Sequence, residues 1–385
     1  MKLQILLLGI TSVYCLDSSF RDANRQFTTK LYKELVEQKQ EKLLVSPMAI
    51  QIIFSLLRAG SGGLTSEELS DALSLPRDDK AQDDMVKGVL EAYKTVQGDH
   101  YQLTLANKIY VQEDVELKAS YKSKAVDVFG ADVENVDFKK KENAMAVINK
   151  WVDCKTKHTI PEIVTKDDLN DALRLILLNT VYFQAPWRQR FHEPSQKPFF
   201  VDSSNTVNVD MMSDRDLYEY HESDELKAKF LKIPYRVNGM SMVMALPNEK
   251  DGLGELEKRL GDILALPKFS YNVVIVSFPK FQFDATIKLK PILNAMGIKD
   301  AFTSSANFSG ISESASLSVS DAIQKNHIEV NEKGTIASSA TAVLLFEYSG
   351  LVEVEPPKEF KADHPFIFFI ESEAGILFIG KFTGH

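Results

Sequence analysis

A single mixed α+β domain is what this sequence predicts, and three observations carry that expectation. Helical periodicity dominates roughly the first 160 residues, strand-length apolar runs dominate the rest, and the two do not alternate as in a barrel or doubly wound sheet. The 385-residue chain also has no Gly/Ser/Pro-rich run, no long block of like charge and no fixed-period repeat, so nothing marks a linker between folding units.

The elements follow in order. From Asn24, the residues Phe27, Leu31 and Leu35 recur every four and form one helix stripe. Ile50, Ile53 and Leu57 follow Ser46 and Pro47 and predict a second helix that stops at Gly60, Ser61, Gly62 and Gly63. Thr65 with Glu68 has capping-box spacing and is expected to open a third. Leu103, Leu105, Ile109 and Val111 keep strand parity, which Asn107 interrupts. Helices are expected over 118–129 and 142–158, and the nearly all-apolar run 173–183 has the pattern of a strand covered on both faces. Strands are also expected over 240–246 and 273–278, and 366–370 should pair with 376–379 across a turn at Glu373, Ala374 and Gly375.

The N-terminus runs from Lys2 through the apolar stretch 3–10 to Val13 and Cys15, then turns polar at Asp17. That is the order of a secretory signal peptide, too short for a bilayer span; the alternative is a buried helix starting at Leu6, Leu7 and Leu8, but nothing amphipathic accompanies the run. The expected division is a signal over 1–15 and one domain over 16–385, in a secreted, extracellular protein. No later apolar run is long enough to span a membrane. Removal of Cys15 would leave Cys154 alone, expected to be a buried, inert thiol in its helix, with no internal disulfide. Asn307-Phe308-Ser309 is the single glycan acceptor triplet.

A net charge of -9 disfavours nucleic acid and anionic membrane as partners. Lys139, Lys140, Lys141, Lys150, Lys155 and Lys157 are diluted by Glu142 and Asp153 and read as a solvated face. Enzyme patterns are missing. The histidines are scattered, with no pair at metal-binding helix spacing, so neither a metal nor another cofactor is expected. The glycines at 60–63 lack the Lys-Ser/Thr of a phosphate loop, and no Gly-x-Ser-x-Gly elbow occurs.

The informative stretch is 334–346, from Gly334 to Phe346, which contains neither charge nor proline. Alone it fits a buried strand, a linker or an aggregation-prone edge. Glu347, Glu353, Glu355, Pro356, Pro357, Lys358 and Glu359 then mark an exposed, partly extended segment.

Ile328-Glu329-Val330-Asn331-Glu332-Lys333-Gly334-Thr335, with small residues through Ala342, resembles the reactive-loop hinge of the serpin family. The run 362–370, Ala-Asp-His-Pro-Phe-Ile-Phe-Phe-Ile, resembles the signature that follows that loop. Ser46-Pro47, the run 60–65, Asn179 with Tyr182, Phe183 and Trp187, Pro279-Lys280-Phe281, Met296-Gly297-Ile298, Ala301-Phe302 and Phe308-Ser309-Gly310-Ile311 match in family order across nearly the whole chain.

The resemblance implies three β-sheets with about nine helices, a metastable native state, and an exposed reactive loop over about 334–360. It implies a suicide-substrate inhibitor of serine proteases, acting as a monomer, whose loop is cut to an acyl-enzyme and inserts into the central sheet, dragging the protease along. The hinge would comprise Glu332, Gly334, Thr335, Ile336, Ala337, Ser338, Ser339 and Ala340; the sheet would open near Ser46, Asn179, Trp187, Lys280 and Gln324, with Glu332 paired to Lys280. Counting along the loop puts the reactive bond between Tyr348 and Ser349, and a tyrosine there suits a chymotrypsin-like protease. Because the distance from Ser349 to Pro365 is longer than in many relatives, Leu345, Phe346 and Leu351 are alternative bait residues.

Strand periodicity supports the insertion. The inward set Thr335, Ala337, Ser339, Thr341, Val343 and Leu345 is uncharged, as is the outward set Ile336, Ser338, Ala340, Ala342 and Leu344. The residues from Gly334 to Tyr348 amount to roughly 46 Å of strand. Gln324 stands where many relatives carry His, and Ile336 where inhibitory members often carry Glu. The alternative is a non-inhibitory serpin acting as a binding, carrier or chaperone protein; between Gly334 and Ala342 only Ile336 is bulky in its favour. A secreted hydrolase would need a nucleophile and base that the sequence does not disclose.

Overall fold

A computed structural model describes residues 11–39, 43–95, 101–265, 268–313, 317–335 and 356–384. Helix α1 (Thr11–Glu37) buries Phe27, Leu31 and Leu35 completely, as its stripe requires. After the short β1 (Leu44–Val45), α2 (Pro47–Ala59) begins with a proline whose missing N–H would be unpaired in the first turn anyway. Every residue of α2 from Pro47 to Arg58 is buried, so this helix lies inside the molecule. It stops at Gly60, where a β-carbon would come within 2.4 Å of Ile311 Cγ1.

Helix α3 (Gly63–Leu73) starts behind Gly62 with no side-chain cap. The capping box expected of Thr65 and Glu68 is not made, because both residues face a distant turn. Glu68 Oε2 accepts from the backbone N–H groups of Lys299 and Asp300 at 2.7 Å each, Thr65 Oγ1 donates to Asp300 Oδ2, and Asn307 N donates to Thr65 Oγ1. The same spacing thus serves the single-turn helix Asp300–Phe302.

Then come α4 (Asp79–Thr95), β2 (Gln102–Gln112), α5 (Ala119–Phe129), β3 (Asp132–Val136) and α6 (Lys141–Lys155). Helix α6 buries Ala144, Ile148 and Val152, one residue per turn. Cys154 lies two positions past Val152, roughly 200° around the helix, and is exposed and free, which corrects the expectation of a buried thiol.

The rest is mainly strand: β4 (Leu175–Pro186), β5 (Ser195–Phe200), β6 (Thr206–Ser223), β7 (Ala228–Pro234) and β8 (Ser241–Pro247). The short helices α7 (Leu253–Lys258) and α8 (Leu260–Leu264) precede β9 (Ser270–Pro279), β10 (Phe281–Lys288) and α9 (Leu289–Ala295). The chain closes with β11 (Asp321–Asn331), β12 (Gly334–Thr335), β13 (Lys358–Lys361), β14 (Phe366–Ser372) and β15 (Gly375–Phe382).

Hydrogen bonding joins these into a six-stranded sheet, β10-β11-β12-β4-β2-β3, and a nine-stranded network, β1-β15-β14-β8-β7-β6-β9-β13 with β5 on β6. Strand β6 is long enough to serve two layers. Its first part pairs with β5 and β9, its last with β7, so dividing the network there recovers the three sheets expected. The main core fills the space between the sheets around α2, and a second cluster, including Tyr110, Ile148, Val152, Ile176 and Leu178, lies between α6 and the outer face of the six-stranded sheet.

Candidate functional site: the opening of the six-stranded sheet

Strands β4 and β11 run parallel and pair directly from Ile176↔Asp321 to Val181↔Asn326. Above that point β12 separates them: Thr335 lies opposite Ala185 on one side and Val330 on the other, and Gly334 opposite Pro186 and Asn331. Ala185 and Val330 keep the offset of the direct pairs below, so the two strands part without sliding. Asn331 Oδ1 accepts from Lys333 N and Gly334 N and closes the turn that feeds β12.

Gly334 is required here. Its φ is +147°, and a β-carbon would lie 2.4 Å from Ala185 O and 2.5 Å from Pro186 Cα. Thr335 is 1% exposed, with Oγ1 3.0 Å from the hydroxyl of Tyr235. The Tyr235 ring stacks on Trp187 at 4.5 Å, and Trp187 Nε1 donates to Asn331 O at 2.9 Å. Burial pushes the Tyr235 hydroxyl well above its ordinary pKa, and the Thr335 bond opposes that only in part. The roof over the split is therefore a neutral aromatic pair seated on the first inward hinge residue.

Halfway down the seam, Asn107, Asn179 and Gln324 line up across β2, β4 and β11 as direct cross-strand partners. Asn179 Nδ2 donates to Asn107 Oδ1 at 2.6 Å, Gln324 Nε2 donates to Asn179 Oδ1 and to Ser46 O, and Ser46 N donates to Gln324 Oε1 at 2.8 Å. Asn326 Nδ2 adds a bond to Gln324 Oε1 at 2.8 Å and another to Leu44 O at 3.1 Å. All five residues are buried and all are neutral. Among the described residues, Ser46 Oγ, Asn107 Nδ2 and Asn326 Oδ1 have no hydrogen-bond partner, so this row is imperfectly satisfied where the sheet would part.

Glu332 does not pair with Lys280, contrary to the sequence expectation. Lys280 is exposed at the β9–β10 junction, while Glu332 is held by its own backbone: Phe191 N donates to Glu332 O at 2.9 Å, which brings Arg190 alongside. Arg190 Nη2 lies 3.9 Å from Glu332 Oε1 but holds Glu193 more closely, and Glu332 Oε2 is buried without a hydrogen-bond partner among the described residues.

Past the loop, β13 runs parallel to β9 from Lys358↔Val274 to Lys361↔Ser277, with Phe360 fully buried. His364 then sits between two acceptors, Asp363 Oδ1 at 2.9 Å and Pro247 O at 2.8 Å. Burial raises the Asp363 carboxyl, but the bonds from His364 and Lys361 outweigh it and leave its pKa below the ordinary Asp value. Asn307 is exposed, and its Oδ1 accepts from Ser309 N at 3.2 Å. Ile336, Ala337, Ser338, Ser339, Ala340, Leu345, Phe346, Tyr348, Ser349 and Leu351 lie outside the described residues.

The family described as Serpin (serine protease inhibitor) matches residues 22–384. The chain belongs to the serpin family. This serpin is 33% identical to antichymotrypsin-2 of Bombyx mori over 374 residues, 95% of this chain and 98% of that one. It is 32% identical to antitrypsin of Bombyx mori over 385 residues, 98% and 97% of the two chains. The crystal structure of Serpin48, described as a highly specific serpin of the insect Tenebrio molitor, superposes with a TM-score of 0.87 at 34% identity, covering 96% of this chain and 99% of that one. The serpin fold expected from the sequence is the fold observed.

Tyr235, Arg190 and Asn326 escaped the sequence reading. Only Asn107 carried a local signal, a polar residue breaking an apolar strand.

Proposed function

We propose that this serpin is a secreted suicide-substrate inhibitor of chymotrypsin-like serine proteases, cut between Tyr348 and Ser349 and trapping the protease by loop insertion between β4 and β11. One observation carries the reading: Gly334 and Thr335 already form a strand in that seam. Each further loop residue steps one position back along both neighbours. That register brings residue 341 opposite Asn179 and Gln324, and residue 344 opposite Ile176 and Asp321, the last direct pair.

The inward residues Ala337, Ser339, Thr341 and Val343 then follow Phe183, Val181, Asn179 and Leu177 into the main core. Ala342 and Leu344 fall beside Leu178 and Ile176, under α6, so the outward set also needs to be uncharged there. Thr341 reaches the amide row with a hydroxyl that can bond to it. Removal of the signal over 1–15, a glycan on Asn307 and a monomeric state belong to the same proposal.

Incubation with chymotrypsin tests it. The expected products are a covalent complex that survives boiling in detergent and a C-terminal fragment beginning at Ser349. Clean cleavage without complex by chymotrypsin-, trypsin-, elastase- and subtilisin-like proteases overturns the inhibitor reading, whereas a fragment starting elsewhere moves only the bait residue.

A further inference from the structure

The β7–β8 hairpin, which carries Tyr235, closes through Asn238-Gly239, the one asparagine of the chain that is followed by glycine. Met240 N donates to Val237 O at 3.3 Å across this turn, and Gly239, its third residue, has φ +75°, a conformation that glycine adopts without strain. Asparagine suits the turn position before it, so the fold itself asks for this pair. Both residues are exposed, and among the described residues neither the Asn238 side chain nor the Gly239 N–H has a hydrogen-bond partner. Other exposed asparagines differ. The side chains of Asn170, Asn205 and Asn307 are bonded to Ala172 N, Asp202 and Ser309 N, and Asp171, Thr206 and Phe308 follow them in the chain.

We infer that Asn238-Gly239 is a self-modification site, at which asparagine converts without an enzyme to aspartate and isoaspartate, and that the conversion loosens the roof over β12. Asparagine is a chemically labile residue, and a following glycine leaves the next backbone nitrogen unshielded. The Gly239 nitrogen loses its proton and attacks Asn238 Cγ; the N–Cγ bond forms, and the side-chain nitrogen leaves as ammonia. The product is a five-membered succinimide. Water from the solvent then adds to one of its two carbonyl carbons. Breaking the Cγ–N bond gives aspartate with the chain unchanged, whereas breaking the bond from the Asn238 backbone carbonyl carbon to Gly239 N gives isoaspartate, whose chain runs through Cγ. Nothing is oxidised or reduced, and either product adds one negative charge.

Isoaspartate lengthens the main chain by one carbon inside a four-residue turn, so the bond from Met240 N to Val237 O cannot close as before. The next bond of the hairpin joins Tyr235 N to Met240 O at 3.1 Å, and Tyr235 is the ring that stacks on Trp187 and meets the Thr335 hydroxyl. A lengthened turn therefore slackens the support of that ring. The new carboxylate also arrives near Glu373, which borders the turn: its Cγ would lie 3.3 Å from a β-carbon on Gly239. Like charges there oppose the compact turn. None of this depends on whether the chain inhibits a protease.

The test incubates the full chain and its Asn238→Gln variant, whose longer side chain closes such a ring poorly, at mildly acidic and at mildly alkaline pH. Peptide mass analysis and labelling by an isoaspartyl methyltransferase follow the chemistry, and amide hydrogen exchange over residues 331–335 follows β12. In the unaltered chain, the peptide containing Asn238 should gain a negative charge ahead of every other asparagine peptide. The gain should be several-fold faster at the alkaline pH, because the Gly239 nitrogen must first lose its proton. Exchange at Gly334 and Thr335 should quicken several-fold in the converted fraction, while Asn238→Gln keeps its starting rate through the same incubation. A peptide that stays unmodified, or changes no faster than those of other asparagines, overturns the inference. Conversion with unchanged exchange overturns it too, and so does equal quickening in Asn238→Gln, which would assign the loosening to another change.

Discussion

The loop is bordered by two short strands built on opposite plans. Strand β12 has two residues, both buried, held between two neighbours and reached through a glycine that no other residue can replace. Strand β13 has four residues, alternates buried and exposed, hydrogen-bonds along one side only, and is pinned at its end by Asp363 and His364. The first is the beginning of a strand with open register ahead of it; the second is a tether pinned at its far end. On the proposed insertion, the contrast teaches that movement and retention fall to different ends of the same loop.

The strongest way to break that contrast is Thr335→Arg. A guanidinium under the Trp187–Tyr235 pair would be buried without a partner, at a cost on the order of several kcal/mol. Covalent complex should fall by more than about tenfold, given that a factor of ten needs only 1.4 kcal/mol, and cleaved serpin should replace it on a denaturing gel. Gly334→Val comes next. Its β-carbon has no space and its backbone conformation costs about 1–3 kcal/mol, so β12 should leave the seam. Limited proteolysis near Lys333 by a non-target protease should accelerate, with a several-fold loss of complex.

Changes at the tether should act differently. His364→Phe leaves Pro247 O unpaired and should lower stability by about 1–3 kcal/mol in denaturant titrations, while the ratio of complex to cleaved product stays as it is. Asp363 supplies the pH side of this prediction. Its folded pKa is depressed, so its contribution is complete above the unfolded value of about 3.9 and is lost as the pH falls through the lower folded value. Asp363→Asn should flatten that acid limb. The smallest effect is expected from Gln324→His, which puts a titratable ring into an otherwise neutral row. Thermal inactivation of the variant should quicken as the pH falls from about 7.5 to 5.5, as protonation near the usual pKa of ~6.5 removes the acceptor for Ser46 N, and match the unaltered chain above about pH 7.5.

Local patterns made much of this molecule legible in advance. The four-residue stripe of α1, the two-sided apolar run of β4 and the β14–β15 hairpin follow from local pattern, whereas the uncharged stretch from Gly334 is read as a hinge only through the family resemblance. What escaped depends on distant partners. Strand β6 reads as polar because its outward residues are Arg215, Glu219 and His221 and its neighbours change along its length. Strand β10 alternates cleanly through Phe281, Phe283, Ala285 and Ile287, a parity already present in the sequence. The partner of Glu332 was not legible, because Arg190 reaches it through a backbone bond from Phe191 that no spacing announces.

Strands β14 and β15 lie beyond the loop in sequence yet sit inside the nine-stranded network, with β15 between β14 and β1. Helices α1 and α2 pack against β15, so elements separated by more than three hundred residues complete one another. On the ribosome, the early helices therefore remain without their floor until β15 has been translated. Such long-range closure makes folding slow and leaves apolar surface open during synthesis. A stop codon between the loop and β14 would release a chain that carries the proposed bait but lacks the strands on which the first helices close.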